Sequence, residues 1–237
     1  MEAPPMQAKL IERVEIAPGL GSFVFEAQNG EGFDFTPGQF VSFSADIGGK
    51  RITRAYSIAS APAPSHSVRR FELYLNLAPE GIFSHLLFAM KSGDTVEMRP
   101  PLGMFVLRNP PRDTIFIATG TGIAPFRSIL KAQLNETSQA FTLVFGVRHE
   151  SHLMYRAEFE EMARKHPHFR FLPTLSRPTE SWSGRSGHVQ AHLHEAIGER
   201  RDVDVFLCGL KLMVDDVRNI LKEMGFDRKQ TLFEKYD

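Results

Sequence analysis

The chain has 237 residues, 42% of them hydrophobic and 24% charged, which suits a soluble globular protein of one large domain or two of about 110 residues. Lys+Arg and Asp+Glu are both 28, so no bulk electrostatic case exists for a nucleic-acid or membrane partner. A single cysteine, Cys208, excludes an internal disulfide and any cysteine-ligated iron–sulfur cluster within this chain.

The start, Met1 to Met6, lacks a basic region followed by an apolar run, so no secretory signal is expected. No apolar run reaches the roughly 18 residues of a membrane span. The expectation is a cytoplasmic monomer without a metal site. Phe is used 20 times against one Trp and four Tyr, and is read as core filling.

The first half reads as short strands broken by turns. Strands are predicted over residues 8–16, 22–27, 39–44, 52–59, 68–77, 94–98 and 104–107, with Pro18-Gly19, Asn29-Gly30 and Pro37-Gly38 as punctuation. One helix, 82–90, interrupts them. This spacing suggests an antiparallel barrel or sandwich. Asn109-Pro110-Pro111-Arg112-Asp113 reads as the linker.

The second half alternates. Strands are predicted over 115–118, 141–145, 169–175, 203–207 and 230–233, with helices over 125–134, 155–165, 189–197 and 212–224. Strands alternating with helices mean a doubly wound parallel sheet. The expected architecture is a Greek-key β-barrel over 1–110 and an α/β parallel-sheet domain over 111–237.

The stretch from Ile115 to Leu130 joins an apolar strand to a helix through Thr119-Gly120-Thr121-Gly122. Such a turn lets backbone N–H groups meet a pyrophosphate. Pro125 stands where the usual dinucleotide fingerprint has its third glycine, and a proline suits the first turn of a helix.

Five motifs in order then resemble the ferredoxin–NADP reductase family. They are Arg54-Ala-Tyr56-Ser57, Gly81-Ile-Phe-Ser84, Gly120-Thr-Gly-Ile-Ala-Pro125-Phe-Arg-Ser, Cys208-Gly209-Leu-Lys-Leu-Met213 and Glu234-Lys-Tyr236. The resemblance implies a reductase that passes a hydride between NAD(P)H and bound FAD, with FAD preferred over FMN. The implied electron partner is a ferredoxin or flavodoxin. The alternatives are the NADH-dependent reductase component of an oxygenase system, or a reductase of free flavins.

The resemblance also implies roles. Arg54 faces the flavin pyrophosphate, Tyr56 packs on the isoalloxazine ring and Ser57 reaches flavin N5. Gly81 and Ser84 hold flavin phosphate at a helix start. Thr119, Gly120, Thr121, Gly122, Pro125 and Gly209 hold the nicotinamide nucleotide. Cys208 shapes the nicotinamide pocket, Tyr236 stacks over the flavin, and Glu234 organises Ser57 and Cys208. Asp237 extends one residue past the family's common aromatic end.

Arg148, after the second parallel strand, and Ser176, Arg177 and Arg185, near the third, are expected to converge on the 2′-phosphate of NADPH. The competing reading, with NADH as donor, makes Arg177 and Arg185 loop structure or pyrophosphate contacts. Trp182 is read as a loop anchor. The histidine pairs 149/152, 166/168 and 192/194 are read as solvated or capping. Lys50, Arg51, Arg69, Arg70, Arg99, Arg108 and Arg112 are read as a docking patch for an acidic carrier.

Overall fold

The structure, a computed structural model, describes residues 5–28, 30, 32–63 and 67–236. By contacts the chain divides into two compact units. One runs to Val106 and includes Ala124–Ala132; the other is Leu107–Ile123 with Gln133–Asp237. Sequence reading placed the boundary at 110/111 and gave the helix predicted over 125–134 wholly to the second domain.

The first unit is a six-stranded antiparallel sheet. Its strands are β1 (Met6–Ala17), β2 (Leu20–Ala27), β3 (Phe40–Ile47), β4 (Lys50–Ser57), β5 (Arg70–Asn76) and β6 (Thr95–Leu102), in the order β4-β3-β6-β1-β2-β5. An antiparallel bridge between Ile58 and Leu73 draws the two edges together, as a barrel requires. Helix α1 (Ile82–Ala89) lies between β5 and β6 in the chain.

Alternation builds the core of this unit. In β2 the odd residues Phe23 and Phe25 are fully buried, and they meet Phe43 and Phe71 from β3 and β5. Phe25 and Phe43 pack edge to face at 4.9 Å. Burying each such ring contributes about 1.5–3 kcal/mol, which explains the heavy use of Phe.

The second unit is a six-stranded parallel sheet: β7 (Thr114–Thr119), β8 (Phe141–Val147), β9 (Phe169–Leu175), β10 (Arg185–Ser186), β11 (Asp204–Leu210) and β12 (Thr231–Tyr236). Their order is β10-β9-β8-β7-β11-β12. The chain winds outward from β7 to β10 and then returns to the other side of β7. The order therefore reverses between β7 and β11, where ligands of such folds bind. Helices α3 (Arg156–Lys165), α4 (Leu193–Ile197) and α5 (Lys211–Glu223) alternate with these strands; α2 (Ala124–Gln133) follows β7.

Three expectations are corrected. Residues 104–107 form no strand. Instead β6 runs on through Pro100 and Pro101 to Leu102. Prolines cannot donate to a ladder; β1 pairs only with residues 95–98, and a register shift between Phe40 and Ser42 faces the prolines on the β3 side. The helix predicted over 189–197 is a 3-10 turn, Val189–His192, followed by a five-residue α4. Finally β10 is a sixth parallel strand, too short for hydrophobic period to reveal.

Candidate functional site

In the first unit the two-residue turn Gly48-Gly49 fixes the β3–β4 register, setting Arg54 opposite Phe43, Tyr56 opposite Val41 and Ser57 opposite Phe40. The half-buried Tyr56 ring lies 5.8 Å from Phe43 and 6.2 Å from Phe83 of α1. Burial pushes the Tyr56 phenol above its ordinary pKa, against a smaller opposing effect of the Arg54 charge. It therefore stays a neutral hydrogen-bonding group. Ser57, one residue on, is buried.

Arg54 is exposed. Its Nη1 donates to the Thr53 carbonyl at 2.9 Å, and it pairs with no carboxylate among the described residues. A guanidinium left without a protein anion beside an aromatic ring suits a ligand that is itself both aromatic and phosphorylated.

The start of α1 has a different logic from the expected one. Ser84 Oγ donates to the Gly81 carbonyl at 2.7 Å and accepts the Ala78 N–H at 3.2 Å. A Cβ on Gly81 would stand 2.6 Å from that oxygen and 2.7 Å from Ala78 Cβ. Gly81 is thus required by the turn's own packing. The Ser84 hydroxyl proton is spent inside the turn, so phosphate there would rely on the backbone N–H groups of the first helical turn.

In the second unit, the turn after β7 is a 3-10 segment, Gly120–Ile123, leading into α2. Its two glycines do different things. Gly120 has φ +55°, and its missing Cβ would meet nothing within 4 Å. Gly122 is buried, and a Cβ there would stand 2.2 Å from the Cys208 carbonyl oxygen. One glycine faces open space, as an approaching ligand needs. The other seats the turn against β11. Pro125 lies buried in the first turn of α2.

Cys208, Gly209 and Leu210 end β11 beside this turn. A Cβ on Gly209 would stand 2.2 Å from Thr119 Oγ1, which accepts the Leu210 N–H at 3.3 Å. Parallel pairing sets Cys208 against Ala118 on one side and Glu234 on the other, with Leu210 against Tyr236. Cys208, Glu234 and Tyr236 therefore share one face of the sheet. The Cys208 thiol is fully buried. Burial pushes its pKa well up, the Glu234 charge adds to this, and a hydrogen bond with Tyr236 works the other way. It is a protonated thiol, a shape-forming group rather than a nucleophile. Asp237 lies outside the described residues.

Arg148, Ser176 and Arg177 come together at the carboxyl ends of β8 and β9. Ser176 N–H donates to Val147 O and Arg177 N–H to Arg148 O, both at 2.9 Å, and His149 Nδ1 lies 3.0 Å from Arg177 O. Both arginines are exposed, and neither has a carboxylate partner among the described residues. Arg185 does not join them. It makes a two-pronged ion pair with Glu195, one bond from Nε at 2.7 Å and the other from Nη2. Trp182 does anchor its loop: Nε1 donates to the Arg185 carbonyl at 2.8 Å, and Arg156 stacks over the ring.

Four of the seven basic residues read as a docking patch stand in ion pairs. Arg51 pairs with Asp46 and Glu97, Arg70 with Glu26, and Arg108 and Arg112 with the buried Asp204. Among the described residues no group of three His, Cys, Asp or Glu side chains could hold a metal. No described helix is long and apolar enough to cross a membrane.

Comparison with known proteins agrees with this geometry. Residues 7–107 match the model of the oxidoreductase FAD-binding domain, and residues 116–219 that of the oxidoreductase NAD-binding domain. The chain is 38% identical over 247 aligned positions to ferredoxin–NADP reductase B of Sorangium cellulosum, covering all of both chains. It is 30% identical to the anthranilate 1,2-dioxygenase electron transfer component of Acinetobacter baylyi, over 89% of this chain and 60% of that one. The crystal structure of a ferredoxin NADP+ reductase from Neisseria gonorrhoeae with bound FAD and NADP superimposes with a TM-score of 0.84 at 25% identity, over 99% of each chain. With a full-length relative at this identity, and with both halves matched by their own domain models, the chain belongs to the ferredoxin–NADP reductase family and is a flavin-dependent NAD(P)H oxidoreductase.

Proposed function

We propose that this chain is an NADPH-dependent reductase that holds FAD in its antiparallel unit and delivers electrons to a ferredoxin or flavodoxin. The observation that carries the nucleotide choice is the pair Arg148 and Arg177, two guanidinium groups without a carboxylate partner among the described residues, on backbones joined at 2.9 Å. A dianion such as a ribose 2′-phosphate would satisfy both. The carrier is inferred from the full-length relative, which bears the name ferredoxin–NADP reductase.

Bound FAD would supply the redox chemistry, accepting a hydride from the nicotinamide. The chain's own groups orient and exclude water. Arg54 offers its free N–H groups to the pyrophosphate, and Tyr56 lends a neutral ring to the flavin. Ser57 is a buried hydroxyl at the strand end, suited to a hydrogen bond with the ring. Open space over Gly120 admits the nucleotide phosphates, with Thr121 and the first turn of α2 as donors. Cys208 forms an apolar wall, Glu234 adds its charge beside it, and Tyr236 fixes the thiol by a hydrogen bond. Positioning of this kind accounts for large rate factors without covalent chemistry.

A second reading, an NADH-dependent oxygenase reductase component, is favoured by the Acinetobacter relative. The deciding measurement is kcat/KM for NADPH and NADH in wild type, Arg148→Ala and Arg177→Ala, with ferredoxin, flavodoxin and free flavin as acceptors. The proposal expects wild type to favour NADPH, and each substitution to erode that preference about 10-fold or more, the worth of one charged contact. A wild-type preference for NADH, unmoved by either substitution, overturns the nucleotide assignment. Reduction of free flavin alone overturns the carrier.

A further inference from the structure

The segment after β8 carries both signs of charge. Arg148 follows the strand directly, and Glu150 stands two residues later, opening a 3-10 turn, Glu150–His152. In dinucleotide-binding folds an acidic residue in this region accepts hydrogen bonds from the ribose hydroxyls of NADH, whereas an arginine receives the 2′-phosphate of NADPH. Between the two, His149 Nδ1 lies 3.0 Å from the Arg177 carbonyl oxygen, so the segment bearing Glu150 is fastened to the loop bearing Arg177. A free Glu150 would oppose Arg148 and Arg177. It is not free: its Oε1 accepts from Arg156 Nη1.

Arg156 is committed on every side. Besides Glu150, its Nε donates to Glu160 Oε1 at 2.6 Å, and its guanidinium carbon lies 5.2 Å from the centroid of the Trp182 ring. That ring lies against Gly184, where a Cβ would stand 2.4 Å from it. All of these residues belong to the parallel-sheet unit. The placing of Arg156 does not serve its helix. It is the first residue of α3, where the macrodipole disfavours a cation. The residue before it, Tyr155, has φ +54°, a left-handed conformation uncommon outside glycine. Nor does the pair do much for stability, because the Arg156 and Glu150 side chains are 38% and 45% exposed, and such pairs contribute little. What the arrangement settles is where the negative charge is held.

We propose that Arg156 is a specificity-determining residue for the nucleotide: it neutralises Glu150, so that Arg148 and Arg177 meet a 2′-phosphate unopposed, and it touches no ligand itself. The inference rests on the NADPH reading above. Removing the guanidinium would leave a bare carboxylate beside a site for a dianion, and would offer the 2′-hydroxyl of NADH an acceptor.

The test compares wild type, Arg156→Gln, Arg156→Gln with Glu150→Gln, and Arg156→Gln with Glu160→Gln, each purified with FAD. Each is titrated in a calorimeter with 2′,5′-ADP and with 5′-AMP, which lacks the 2′-phosphate. Arg156→Gln should weaken 2′,5′-ADP binding about 5- to 10-fold at low ionic strength, as one uncompensated exposed charge near a dianion would, and leave 5′-AMP binding undiminished. Adding Glu150→Gln should return the 2′,5′-ADP affinity to within about twofold of wild type, and adding Glu160→Gln should not. A loss that Glu150→Gln does not restore, or that Glu160→Gln restores equally, overturns the inference, because Arg156 would then meet the phosphate itself or merely brace the loop. Unchanged 2′,5′-ADP affinity in Arg156→Gln overturns it as well. A wild-type chain that binds 2′,5′-ADP no more tightly than 5′-AMP removes the NADPH reading itself, an outcome seen before any variant is made.

Discussion

The two glycines of the turn after β7 should fail in opposite ways when replaced by alanine. At Gly122 the new methyl would meet the Cys208 carbonyl oxygen at 2.2 Å, its carbon at 2.5 Å and Gly209 N at 2.8 Å. All three are backbone atoms, so no side chain can swing aside. To reach van der Waals contact the end of β11 must retreat by roughly 1 Å, which disturbs the Leu210 to Thr119 hydrogen bond and the Cys208–Ala118 pairing. Overpacking of this kind costs about 1–3 kcal/mol, and rigid neighbours place it at about 3. At about 2–4 °C per kcal/mol, the melting temperature should fall by about 6–12 °C. Gly120→Ala has space for its methyl and bears only the left-handed backbone conformation, about 1 kcal/mol. Its loss should be in nucleotide binding, because the methyl occupies the space that phosphates need. Thermal melts by circular dichroism and calorimetric titration with NADP+ separate the two. A Gly122→Ala protein melting within about 1 °C of wild type would refute the packing argument. Unchanged NADP+ affinity in Gly120→Ala would refute the ligand argument.

Other substitutions test other contacts. Glu234→Gln and Cys208→Ala should slow flavin reduction by NADPH roughly 10- to 100-fold in stopped flow, with flavin content nearly unchanged, since positioning losses of about 1.4–2.7 kcal/mol are typical. Arg185→Ala should leave the NADPH:NADH ratio of kcat/KM unchanged, because Glu195 already holds that guanidinium. Stability should decline on the alkaline side. Cys208 and Tyr56 have folded pKa values raised by burial, so their contribution is complete below the unfolded values, about 8.5 and 10, and is lost as pH rises past them. Urea midpoints measured from pH 7 to 10.5 should fall, and Cys208→Ala should flatten the first part of the decline.

The sequence disclosed the architecture because each half keeps one hydrophobic period throughout. Alternating Phe23 and Phe25 mark a half-buried strand, and the solid apolar run from Ile115 to Ala118 marks a strand buried on both faces. The five motifs were legible for the same reason, each being a local turn or strand end written in consecutive residues. What escaped was set by tertiary partners. Pro100 and Pro101 lie past the strand predicted over 94–98, and β6 continues through them because β1 pairs no further than Met98 and a register shift faces them on the β3 side. Arg185 stands in an ion pair with Glu195, ten residues on, a partner that its own motif does not foretell.

The burial of Cys208 has a consequence for chemical durability. A thiolate, not a thiol, reacts with peroxide and with alkylating reagents. Here the chain's single sulfhydryl is kept protonated and out of solvent at the end of a parallel strand, between Ala118 and Glu234. The chain thereby carries its one cysteine in a form that oxidants attack slowly. The same shielding turns that sulfur into a gauge. It can be labelled only after a local opening that brings the buried thiol to solvent. The rate of its modification by a thiol reagent therefore counts those local openings, residue by residue silent elsewhere.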